Sequence, residues 1–66
     1  MTIEEVKQRV AAIAAEADDD EQAHSMEDEL HQDVLRAIAD KKCKNPSACA
    51  AEALKTQDID FARWCA

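Results

Sequence analysis

Glycine is absent from all 66 residues, tyrosine is absent, proline occurs once, and the aromatics are limited to Phe61 and Trp64. Without glycine the chain has none of the flexible loops that cradle phosphates or line oxyanion holes. Without alternating β-branched and aromatic residues there is little from which to build a sheet. No apolar run approaches the ~18 residues of a membrane span, and the opening MTIEEVKQRV lacks the basic and apolar regions of a signal peptide. A cytoplasmic protein with no membrane association is expected. Lys and Arg are missing altogether between Glu16 and Asp33, a stretch that holds nine acids.

What remains favours helix. A chain of this length makes one domain, residues 1–66, close to the lower size at which a core offsets chain entropy. Much of the 47% hydrophobic content is alanine, so the core is thin. Thr2 starts a first helix, with Glu5 placed to close a capping box. Its apolar residues Ile3, Val6, Val10, Ile13 and Ala17 step by three and four, the seam of a packed helix pair. Self-association along that seam, as a homodimer, is expected from the thinness of the core.

The run DDDE, Asp18 to Glu21, interrupts the seam, because adjacent carboxylates repel and Asp caps helices better than it fills them. A second helix then carries Ala23, Met26, Leu30, Val34 and Ile38 and ends near Lys41. Asn45 and Pro46 announce a third, with Cys49, Ala50, Ala53 and Leu54 as its buried edge. The ending QDIDFARWCA predicts a short helix or turn capped by Asp58 or Asp60. There Phe61 and Trp64 act as a structural clasp on the bundle, and Arg63 rests on a ring or reaches an acid of the first half. The fold class is all-α: a small antiparallel bundle of three helices plus a short C-terminal helix or turn.

The stretch AHSMEDELHQDVL places His24, Glu27, Asp28 and His31 within one arc of the second helix. Zinc needs three or four ligands, and His24 and His31 stand two turns apart, about 10 Å along the axis. Local pairs, His24 with Asp28 and Glu27 with His31, explain the pattern more simply. No metal, cofactor or catalytic residues are expected, and no enzyme. Cys43, Cys49 and Cys65 match no zinc spacing, and reduced thiols are expected, with Cys49 in the core.

Charge divides the chain. Residues 1–33 carry a net of −9 and residues 34–66 a net of +2. The acidic half repels nucleic acid and acidic membranes, so direct nucleic-acid binding is not expected. A protein with a basic surface is the natural complement, met by Asp19, Asp20, Glu21, His24, Glu27, Asp28 and His31. Two other functions stay open: a DNA mimic inhibiting a nucleic-acid-binding protein, and a metal-binding helical protein using His24 and His31.

The segments AHSMEDELHQDVLRAIAD and ALKTQDIDFARWCA resemble those of small uncharacterised proteins of actinobacteria and their phages. The resemblance covers about half the chain and implies a small accessory regulator, with no catalytic residues.

Overall fold

The computed structural model describes residues 1–63 and contains three α-helices: α1 (Ile3–Ala15), α2 (Asp20–Ala39) and α3 (Pro46–Leu54). A 3-10 turn, Lys55–Asp58, continues directly from α3. The molecule extends 33 Å along its longest axis, close to the ~30 Å of a 20-residue helix, so α2 spans its length.

Each helix starts where the sequence chemistry places a cap. The Thr2 hydroxyl accepts from the Glu5 amide at 3.3 Å, and the Asp19 carboxylate accepts from the Gln22 amide at 3.1 Å. The capping box at Thr2 is incomplete, because Glu5 takes the Thr2 hydroxyl at 3.5 Å. Asn45 caps α3 without a side-chain bond, and Pro46 occupies the first turn, where its missing N–H costs nothing.

The end of α2 shows what lack of glycine entails. The Lys42 amide reaches the Ala37 carbonyl at 2.8 Å and the Lys41 amide reaches Ile38 at 3.1 Å, a Schellman closure. This closure needs a left-handed residue, and Lys41 supplies it at φ 58°.

Antiparallel order follows from the long-range bonds. The Met1 nitrogen donates to the Lys42 carbonyl at 2.6 Å and Lys44 returns a bond to the Met1 carbonyl at 3.3 Å, which sets the start of α1 beside the end of α2. Arg9 meets Asp33 at 2.9 Å farther along. His31, midway along α2, bonds the Ala53 carbonyl near the end of α3. The segment after the 3-10 turn continues towards the start of α2, where the Ala62 amide donates to Asp20 at 3.1 Å.

Val6, Ile13, Ala23, Leu30, Val34, Cys49, Ala53 and Phe61 form the core, flanked by Met1, Ile3, Val10, Met26, Ile38, Cys43 and Ile59. Of the α1 seam, Val6 and Ile13 are fully buried within the chain, while Ile3 and Val10 are half-buried against the core. Two expectations for the last third need correction. Leu54 does not lie on the buried edge of α3 but is 62% exposed, because its side chain falls beyond the face that α1 and α2 cover. The short helix precedes Ile59, and residues 60–63 have no regular secondary structure, so among the described residues Asp58 and Asp60 cap no helix. Cys43 and Cys49 are free thiols. A hydrogen bond with Cys43, together with burial, pushes the Cys49 thiol above its ordinary value, so it stays protonated. Cys65 and Trp64 lie outside the described residues, and only the Phe61 half of the clasp can be placed.

Candidate functional site

The seven expected surface residues divide into two sets. Asp19, Asp20, Glu21 and Asp28 are exposed on the α1–α2 turn and the first half of α2. Glu27 is not on that surface: it is 3% exposed and faces the C-terminal segment. Its position explains why. Ala23, Glu27, Leu30 and Val34 follow at helical spacing on the side of α2 that packs inward.

Burial alone pushes the Glu27 carboxyl up, but hydrogen bonds from Arg63 and Thr56 and the charges of Arg63 and His31 outweigh it and hold the group below its ordinary value. The Arg63 Nε donates to Glu27 Oε1 at 2.8 Å and Nη2 to Oε2 at 3.0 Å, a two-point fork. The same guanidinium donates to the carbonyls of Thr56 at 2.7 Å, Ile59 at 3.1 Å and Phe61 at 3.2 Å. Its carbon lies 3.8 Å from the centre of the Phe61 ring. Arg63 thus does both things the sequence suggested: it rests on a ring and reaches an acid of the first half. Arg63 thereby ties carbonyls on both sides of Asp60 to the tail, and the Thr56 carbonyl also accepts from the Ile59 amide at 3.0 Å.

His31 does not pair with Glu27 through a direct hydrogen bond. Its Nε2 lies 3.0 Å from Thr56 Oγ1 and 3.2 Å from the Ala53 carbonyl, while the Thr56 hydroxyl donates to that carbonyl at 3.1 Å. Thr56 is fully buried. Such a network has no open nucleophile; its chemistry is to hold the tail and the end of α3 against α2. Among the described residues every buried side-chain polar atom has a partner. Thr56 is a residue that sequence reasoning passed over; its signal was a hydroxyl three residues after Ala53, on the buried edge of α3.

His24 keeps the expected local partner, with Nε2 3.6 Å from Asp28 Oδ1, and its side chain is only 15% exposed. Among the described residues no three His, Cys, Asp or Glu side chains converge as a metal would require, and His31 Nε2 is committed elsewhere.

The outward acids differ from the inward ones. Glu27, Asp33 and Glu52 each contact an Arg or Lys. Among the described residues no Lys or Arg pairs with Asp18, Asp19, Asp20, Glu21, Asp28 or Glu29. Asp19, Glu21, Gln22 and Ser25 line a shallow polar recess at this end. Farther along α2, a shallow groove of about 240 Å³ runs between α2 and α3, lined by His31, Val34, Leu35, Ala50, Ala53 and Leu54. Among the described residues no helix is long and apolar enough to cross a membrane.

No protein-family profile, curated protein or solved structure matches this chain.

Proposed function

We infer that this chain is a non-enzymatic protein-interaction module that presents the acidic end of α2 to a basic surface on another protein. One observation carries this reading: among the described residues, the exposed acids from Asp18 to Glu29 lack Lys or Arg partners, while Glu27, Asp33 and Glu52 have them. A field of one sign speeds encounter with an oppositely charged partner and selects against like-charged ones. The surface is held in shape, since Asp19 caps α2 and Asp20 anchors the Ala62 amide. A small accessory regulator, as the resemblance to actinobacterial and phage proteins implies, fits this role. Imitation of DNA is a weaker fit, because exposed Lys41, Lys42 and Lys44 give the opposite end positive charge.

The test is affinity capture with the parent and with a triple variant, Asp18→Lys, Glu21→Lys and Glu29→Lys, at positions with no side-chain hydrogen bond of their own among the described residues. The parent is expected to retain a basic protein that salt releases, and the purified pair to bind at least about 10-fold more weakly with the variant. Equal retention by both proteins removes the acidic surface as the binding site.

A further inference from the structure

Cys43 and Cys49 stand on either side of the Asn45 cap, Cys43 in the connection between α2 and α3 and Cys49 in the first turn of α3. Cys49 is fully buried, and Cys43 is half-buried and packed against the same core. The local backbone brings them together. The chain leaves α2 through the left-handed Lys41 and enters α3 at the Asn45 cap, where the Cys49 amide closes the first helical bond to the Asn45 carbonyl at 2.9 Å. Residues just ahead of a helix cap commonly fold back on the fourth helical position, which is where Cys49 stands. The two thiols meet there and share a hydrogen bond. Among the described residues no third His, Cys, Asp or Glu joins them, so the pair is not part of a metal centre.

The chain around Cys43 is basic. Lys41, Lys42 and Lys44 are exposed beside one acid, Asp40, and among the described residues none of the three lysines is in a salt bridge. An anionic reagent is drawn to this end of the molecule. We propose that Cys43 and Cys49 form a reversible dithiol–disulfide couple whose oxidant is a small anionic disulfide, met first by Cys43.

Exposure sets the order of events, because Cys49 has no contact with solvent and Cys43 does. The Cys43 sulfur gives its proton to water and attacks one sulfur of the small disulfide; that S–S bond breaks, and one small thiol leaves with a proton. The Cys49 sulfur then gives up its own proton and attacks the Cys43 sulfur, which expels the second small thiol. Two protein thiols are oxidised to one disulfide, and the small disulfide is reduced to two thiols. The new bond fastens the α2–α3 connection, already tied to Met1 through Lys42 and Lys44, onto the first turn of α3. This couple lies past the C-terminal end of α2 and the acidic surface lies at its N-terminal end, so each can fail without the other.

Oxidised glutathione, an anionic disulfide, is the probe, and tryptic mass mapping is the readout. Cleavage after Lys42, Lys44, Lys55 and Arg63 puts each cysteine on its own peptide. The folded parent is expected to yield the dipeptide 43–44 linked to peptide 45–55, with unchanged helical circular dichroism and full reversal by dithiothreitol. Cys49→Ala is expected to stop at glutathione bound to Cys43. Cys43→Ser, at a half-buried position, is expected to modify Cys49 at least about 10-fold more slowly than the parent loses its Cys49 thiol. A parent that keeps glutathione on Cys43, or that links these peptides only in urea, overturns the proposal. Cys43→Ser that reacts at Cys49 as fast as the parent overturns the order of attack, and linkage that runs to Cys65 instead overturns the pairing.

Discussion

Replacing Arg63 with alanine tests the strongest electrostatic feature of the fold. The substitution removes both bonds to Glu27 and leaves a carboxylate that is 3% exposed without its cation. Breaking a buried ion pair from one side typically costs about 3–5 kcal/mol. Arg63 itself is 28% exposed, so water replaces part of what is lost, and a figure of about 2–3 kcal/mol is appropriate. For a chain of this size, with total stability of about 3–10 kcal/mol, that is a major fraction.

The sign of the pH dependence is more diagnostic than the size. In the parent, the Glu27 carboxyl is held below its ordinary value of 4.5, so the pair's contribution is present above that pH and is lost as pH falls through the lowered value. In the Arg63→Ala variant burial is no longer outweighed, and the folded-state value rises above the unfolded one. Its penalty is then full near neutrality and relieved as pH falls, because protonation neutralises the buried group. The stability gap between the two proteins, measured by urea unfolding followed at 222 nm, is therefore expected to narrow from about pH 7 to about pH 4. Adding Glu27→Gln to the variant should recover about 1–2 kcal/mol near neutral pH, since a neutral amide tolerates burial better than an unpaired carboxylate. A gap that stays constant with pH, or a double variant no more stable than Arg63→Ala alone, refutes the account of Glu27 as a buried anion held by Arg63.

Two further outcomes concern the scaffold. Lys41→Gly, at the left-handed residue that closes α2, is expected to raise the urea midpoint by an amount equivalent to about 0.5–1 kcal/mol with an unchanged slope. Phe61→Ala, which empties a site only 7% exposed and removes the ring under Arg63, is expected to cost about 3 kcal/mol and to lower the thermal midpoint by more than about 10 °C.

Local chemistry made the helices legible. Thr2, Asn45 and Pro46 mark starts, and the steps Ile3, Val6, Val10, Ile13 and Ala23, Leu30, Val34 mark the faces that pack. Where side chains act at long range the sequence was less informative. Glu27 sits on the same inward stripe as Ala23 and Leu30, but a carboxylate there reads as surface unless its cation, 36 residues away, is known to arrive. Leu54 carries the spacing of a buried residue, and only the limited reach of α1 and α2 leaves it in water. Asp58 and Asp60 look like helix caps because capping is judged from neighbours, whereas the carbonyls of Thr56 and Ile59 around them are bound by Arg63 from farther along the chain. Of the proposed interface, Asp19, Asp20, Glu21 and Asp28 were legible as exposed acids; the inward turn of His24, Glu27 and His31 was set by the tertiary packing of α3 and the tail.

The fork between Arg63 and Glu27 also orders events in time. Ala62 and Asp20 are 42 residues apart and Arg63 and Glu27 are 36 apart, so each contact closes a long loop and gains most once α2 and α3 are already packed. The tail is thus expected to dock late, on the native side of the folding barrier. Its contacts then act as a brake on unfolding and leave the speed of folding almost untouched. Release of this tail is the local opening expected first, and it would uncover Glu27 and the 3-10 turn while the three helices stay packed, which hydrogen exchange of the segment amides checks.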